Sequence, residues 1–473
     1  MGKGRKGRQH PPPSEPAAGA SNRGKRWLPV AVALALVCGV SLWLHRRAAS
    51  QAPVPDPAPA PRSWRWVSGD MHLHAETSGG KSVTSTEFVD ILKGEGLEVG
   101  VVHVWGVRAE VTSRSFTGRA KDFSTKPLLH YDLEVSSFYG LNDDLRPGYG
   151  GGYPDHVVGL GLQSLDFPRR LFTFPITAWA HSQGAVTGVA HAGIWPGDRK
   201  KAPLRPLHAP AELPACLALG QRLFLSTEHV AGPGFYRLYY GLLNCGFEVP
   251  LCAGSDWPVA GGPPGHPRTY VKTEGPLTYE GWIEGIRAGH TTISGNRTDL
   301  LEVEVEGEGS GERLSRGPNS RVRVVVRFRL AEAQIVEVVC NGTVITRFRA
   351  EDGEGAWSTQ LSVWDSCWIV VRTKTAHTGP VYVDVEGRTI RASVTDAAYF
   401  RTYLDNLLEQ IDKPTFVWKA KGATDEQALL IEAERAEAKA TYEAALPVWD
   451  SILKEARERK SFVAKAREAR RGG

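Results

Sequence analysis

Between residues 64 and 297, short apolar runs alternate with helix-like stretches. This alternation narrows the chain to an α/β fold with a mostly parallel sheet. The runs fall at 99–104, 156–162, 185–190, 222–225 and 249–253, and the helical stretches at 86–94, 175–183, 234–244 and 278–288. Polar residues repeatedly follow the runs; in a barrel, the rim beyond the strand ends is where catalytic side chains collect. From 298 to 393 the pattern changes. Segments such as LLEVEVEG, RVRVVVRFRL and VYVDVEG alternate apolar and polar residues between Gly and Asn turns. That is the pattern of a small antiparallel β-sandwich. Residues 394–473 read as helices, the second of which (424–460) carries Pro447, expected to break or kink it. The charged face of this tail reads as a solvated cover, with a partner-binding helix as the alternative.

The formal charge of the 473 residues is +5, but its distribution excludes a nucleic-acid-binding body. Residues 1–47 hold nine Lys/Arg against one acid, a charge of +8, which leaves −3 for the rest. Residues 1–27 form a basic tail ahead of an uncharged apolar segment at 28–44, long enough for a transmembrane anchor. Seven Lys/Arg precede that segment and two follow it, placing the N-terminus in the cytoplasm and the body outside. The competing reading is a cleaved signal peptide, with cleavage at 48–52, just past Arg46 and Arg47, where basic residues are unfavourable. Both readings export the body. Residues 45–63 contain a Pro-rich spacer. The cysteines of the body show no CxxC spacing, which argues against a zinc finger. Cys340 and Cys367 read as small buried hydrophobes, with a disulfide between them as the alternative.

Six residues carry metal chemistry. In GDMHLH, His72 and His74 lie at i and i+2 on a strand end, so both imidazoles point the same way. Glu134 ends a short run in LLHYDLEVSS, His156 opens an apolar strand, His191 ends another, and Asp256 follows a Gly-Ser turn in CAGSDW. Imidazole mixed with carboxylate is a donor set for zinc, manganese or iron, whereas calcium and magnesium prefer oxygen alone. A carboxylate such as Glu134 is able to bridge two ions about 3.5–4 Å apart.

The order of these motifs resembles the PHP (polymerase and histidinol phosphatase) superfamily. Within it, LYYGLLNCGFEVPLCAGSD, HPRTYVKTEGPLTYEGWIEGIRAGHTTISGN and AHTGPVYVDVEG resemble the CehA/McbA-type metallohydrolases, over about residues 64–400. The resemblance implies a distorted (β/α)7 barrel at 64–297, a β-sandwich at 298–393, and a metal-dependent hydrolase of ester, amide or carbamate-like bonds in a small-molecule substrate. Carried over by position, His72, His74, Glu134 and Asp256 hold one divalent ion, and Glu134, His156 and His191 a second. Zinc is the first expectation, with manganese or iron as alternatives. The three further histidines of trinuclear members fall where this chain has Gly80, Val104-Trp105 and Pro258, which implies two ions at most. A phosphoesterase and a non-catalytic exported metal-binding module are the competing functions. His103 is a candidate proton shuttle or core histidine. Glu228 and His229 are candidates for a general acid or for orienting a ligand imidazole. Arg268 and Tyr270 either bind substrate oxygen or brace the barrel, and Trp195 and Trp257 are candidate pocket walls.

Overall fold

The computed structural model describes residues 64–74, 83–107, 110–111, 127–136, 156–164, 170, 172–192, 212–228, 230, 232–260, 262–411 and 425–471. They form a mixed α/β structure with nineteen strands and seven helices. The expected anchor at 28–44, its flanking tail and the Pro-rich spacer lie outside the described residues. No helix among those described is long and apolar enough to cross a membrane.

The first region is built on β1 (Trp64–His74), β2 (Val99–Val107) and β4 (Leu128–Ser136), which run parallel; β3 (Glu110–Val111) only extends the end of β2. Helix α1 (Ser85–Gly94) connects β1 to β2. It starts at Thr84 with a capping box: Glu87 N donates to the Thr84 hydroxyl at 3.3 Å, and Thr84 N donates back to the Glu87 carboxylate at 2.7 Å. Such a cap contributes about 0.5–2 kcal/mol. Phe88 and Leu92 on its inner face pack with Leu73, Val102, Leu129 and Tyr131.

Strand β5 (His156–Leu160) breaks the parallel order. It runs antiparallel to β4 and to β6 (Val186–Val189), after which β7 (Leu223–Thr227) and β8 (Leu251–Ala253) continue in parallel. The reversal explains why His156 opens its strand while the other candidate ligands close theirs. An opening residue reaches the common rim only if its strand points the other way. Helices α2 (Thr173–Ser182), α3 (Leu213–Ala218) and α4 (Pro233–Asn244) precede β6, β7 and β8 in turn. Among the described residues no ladder joins β8 back to β1. The turn beyond β8 meets β1 through an isolated bridge, Leu73 to Trp257, with His74 N donating to Trp257 O at 2.8 Å. On its other side β1 pairs antiparallel with β9 (Arg268–Glu274), which pairs with β10 (Thr291–Ser294) after helix α5 (Tyr279–Arg287).

Two sheets then enclose a second core. One is β11 (Leu300–Val305), β13 (Ser320–Leu330) and β16 (Gly353–Val363), all antiparallel. In β11, Leu301, Val303 and Val305 are buried, and Glu302 and Glu304 alternate with them on the wetter face. The other holds β12 (Arg313–Arg316), β14 (Gln334–Cys340), β15 (Thr343–Ala350), β17 (Cys367–Arg372), β18 (Ala376–Thr378) and β19 (Val381–Val385). This second sheet continues into the first region, because β18 pairs with β10 through Thr292–Thr378 and its neighbours. Cys340 and Cys367 both pack on the sandwich core as free thiols.

The chain closes with α6 (Val394–Ile411) and α7 (Asp425–Arg471). The break expected as one outcome at Pro447 does not occur: α7 is one continuous helix through it. A proline inside a helix costs about 3 kcal/mol or more. Tyr442, Ala445, Trp449 and Ile452, on both sides of it, are buried against α3, α4 and α6. At about 1.5–3 kcal/mol for each large side chain, that burial outweighs the proline. Polar ties reinforce it. Trp449 Nε1 donates to Pro214 O at 3.0 Å, and the Tyr442 hydroxyl donates to Glu212. The same Glu212 carboxylate accepts from Thr173 N at 2.6 Å and Phe174 N at 3.2 Å, capping α2, whose own N-cap Phe172 has no acceptor to offer. The tail is therefore a docked cover. Trp449→Ala is expected to cost about 3–5 kcal/mol, and Pro447→Ala to raise stability, both read as shifts of the urea midpoint. An unchanged midpoint in Trp449→Ala would show that α7 is not part of the cooperative unit.

Candidate metal centre

Side chains at i and i+2 share a face of a strand, and Asp70, His72 and His74 follow that rule at the end of β1. The ladder to β2 shifts register between Asp70 and Leu73, where β1 holds one residue more than β2. His72 and His74 are each 1% exposed. Their Nε2 atoms lie 3.0 Å apart. Glu134 Oε2 is 3.2 Å from the first and 3.1 Å from the second; Asp256 Oδ1 is 3.5 Å and 3.0 Å from them. The other oxygen of Glu134 faces away: Oε1 is 2.8 Å from His156 Nδ1 and 3.6 Å from His191 Nε2. All six expected residues thus converge, in two groups that share one carboxylate.

These spacings test whether an ion fits. Bonds of about 2.0–2.1 Å in a tetrahedron put the donor atoms about 3.3 Å apart. Five of the six edges among His72 Nε2, His74 Nε2, Glu134 Oε2 and Asp256 Oδ1 run from 3.0 to 3.5 Å. These spacings suit a divalent ion held by His72, His74 and Asp256 with Glu134 beside them. Donor atoms of Glu134, His156 and His191 also lie within 4.8 Å of one another, a second place for an ion.

The charges interlock. Burial lowers the His74 pKa, but hydrogen bonds and charges from Asp256 and Glu134 overcome it and push the imidazole up to about 10. Burial raises the Glu134 carboxyl, yet the neighbouring His72 and His156 hold it well below the usual range. Asp256 is lowered in the same way, against burial, chiefly by His74. The sign for His74 follows from linkage. Its folded pKa lies above its unfolded value, so its contribution is complete below about 6.5 and is lost as pH rises towards about 10. Chelator-treated protein is expected to lose stability over pH 7–9, and saturating zinc to flatten that slope, because the ion replaces the proton. Thermal midpoints at several pH values, with and without zinc, check this; a slope that zinc leaves unaltered contradicts it.

Two of these residues carry backbone strain. His191 (φ 55°) and Asp256 (φ 49°) both adopt the left-handed region, which costs a residue other than glycine about 1–3 kcal/mol. Asp70, which sequence reasoning missed, anchors the turn that carries Asp256. Its buried carboxylate accepts from Ser255 N (3.1 Å), Ser255 Oγ (2.6 Å), Gly265 N (2.6 Å) and His72 N (3.1 Å). The period-two rule that selects His72 and His74 also selects Asp70, so the signal was present in GDMHLH. Gly254 permits the close approach, since a Cβ there would lie 2.5 Å from His72 Cβ. Gly254→Ala is expected to displace His72 and lower metal content with the circular dichroism of the fold retained. Full metal content in that variant would mean that His72 does not need its present position.

The secondary candidates separate. His103 is 1% exposed and its Nε2 hydrogen-bonds Met71 O at 2.7 Å, at that register shift; burial and the charge of His72 lower its pKa to about 4. It lies next to the ligands, its ring centroid 5.2 Å from that of His72, but is held on the backbone. Glu228, just past β7, contacts His191 Nδ1. His229 and Trp195 lie outside the described residues. Arg268 is fully buried, with Nε on Gly265 O at 2.8 Å and Nη1 on Glu95 O at 3.2 Å, and the Tyr270 hydroxyl donates to Arg297 O at 2.8 Å. These bonds to backbone oxygens match the bracing alternative for both residues. Trp257 packs edge-on to Phe88, 6.0 Å between ring centroids. Neither a scan against protein-family models nor a search of curated proteins finds a match to this chain.

Proposed function

We propose that this chain is a metal-dependent hydrolase of the PHP superfamily, closest in kind to the CehA/McbA-type enzymes, acting on an ester, amide or carbamate-like bond of a small molecule. The observation that carries the reading is a set of four buried donor atoms, five of whose six separations match a tetrahedron, joined through Glu134 to a second group of His156 and His191. His72, His74, Glu134 and Asp256 would hold one ion; Glu134, His156 and His191 would hold the other. When bound, a pair of divalent ions lowers the pKa of a water and polarises the bond to be cut. The chain's own part is placement. Glu134 turns one oxygen to each group, and the Asp70 network fixes the turn of Asp256 against β1. The near-meeting of β8 with β1 supports a barrel of the superfamily type. The same reading places the body outside the cytoplasmic membrane, tethered by residues 28–44.

The test is metal analysis of the purified protein together with a panel of carboxyl, carbamoyl and phosphate esters after zinc or manganese loading. Up to two ions per chain and hydrolysis of a carbon-centred ester or carbamate are expected. His72→Ala should lose metal and at least about a hundredfold in kcat/KM, about 2.7 kcal/mol in the barrier. Full activity in metal-free His72→Ala sinks the reading, and turnover of phosphate esters alone moves the chain to the phosphoesterases.

A further inference from the structure

A histidine that binds a metal through one ring nitrogen usually donates the other N–H to a carboxylate or carbonyl. That partner fixes the tautomer and the ring orientation and raises the ligand's basicity. Among the candidate ligands, His191 has the greatest need of such a partner. It sits past the end of β6 in the left-handed backbone region and is not held within a strand ladder. It is also among the least buried, with 22% of its side chain exposed against 1% for His72 and His74.

We propose that Glu228 is the positioning residue for His191, accepting the Nδ1–H so that Nε2 is presented towards Glu134 and a metal ion. The inference rests on the metal-centre reading above. Three observations carry it. The Glu228 carboxylate contacts His191 Nδ1, while His191 Nε2 lies 3.6 Å from Glu134 Oε1, so the two ring nitrogens face different carboxylates. The contact is built into the sheet. β6 and β7 are parallel neighbours, with Val189 opposite Leu225, and Ala192 N donates to Ser226 O at 3.1 Å, which locks the two strand ends together. Finally, the Glu228 side chain is 18% exposed, sheltered enough for its acceptor to act in a low dielectric. Donor atoms of His72, His191 and Glu228 also fall within 4.8 Å of one another, which makes direct ligation by Glu228 the rival role.

The experiment compares the full chain with Glu228→Ala and Glu228→Gln. Zinc stoichiometry and affinity are measured by chelator competition, and the coordination sphere by the visible absorption of the cobalt-substituted protein. A positioning role predicts that both variants reach the wild-type stoichiometry at saturation. Glu228→Ala should bind the weaker ion about 10–100-fold less tightly. Glu228→Gln, whose amide oxygen still accepts from Nδ1–H, should recover most of that loss. The cobalt bands should keep their positions and intensities. Affinity within twofold of wild type in Glu228→Ala overturns the proposal, as does Glu228→Gln no tighter than Glu228→Ala. A changed cobalt spectrum in either variant marks a lost ligand and overturns it in favour of direct ligation. A wild-type chain that takes up no zinc overturns the metal-centre reading itself, and the positioning role with it.

Discussion

Lone pairs crowded into a low-dielectric interior repel one another unless something positive stands among them, and this constraint organises the rim of the sheet. Two imidazole nitrogens 3.0 Å apart, flanked by two carboxylates at 3.0–3.5 Å, accept either shared protons or a cation. With protons, His74 is held charged by Asp256 and Glu134. With an ion, the same geometry becomes a coordination shell. The surrounding structure keeps this crowding from relaxing. Asp70 ties the turn after β8 to β1, and the pairing of β6 with β7 sets His191 beside Glu228.

The position of a residue relative to its strand made most of the site legible. His72 and His74 share a face by the period of two, and Glu134, His191 and Asp256 sit at or just past the ends of strands. His156 was legible as a strand-opening residue, yet the reversal of β5 that this required was not drawn out, because the alternation of apolar runs with helices reports elements and not their direction. The same period of two reaches Asp70, but its role is to accept hydrogen bonds from residues 185 and 195 positions away, Ser255 and Gly265, and no local pattern reports such partners. For Arg268 the sequence leaves two roles open, binding substrate oxygen or bracing the barrel. A charged side chain is ordinarily wet, and only the fold shows this guanidinium, at the start of β9, bonded to Gly265 O and Glu95 O.

The helical tail illustrates tertiary contacts overruling local preference. Pro447 is a helix breaker by covalent structure, but its neighbours Tyr442, Ala445, Trp449 and Ile452 bury one face of α7 against the helices of the α/β region. Glu212 ties the two together, since its carboxylate caps α2 and accepts the hydroxyl of Tyr442. Helix α2 in turn leads into β6 and His191.

The pairing of β10 with β18 bears on how such a chain could be recombined. A cut at residue 297 looks natural, because composition and periodicity both change there. In the folded molecule a backbone ladder crosses that point, and the hydroxyl of Thr292 reaches over to Leu301 O at 2.9 Å. Grafting a foreign sandwich at that junction would leave the N–H and C=O groups along one edge of β10 without partners. The two halves are thus expected to be inherited, exchanged and unfolded together, as one body and not as beads on a string.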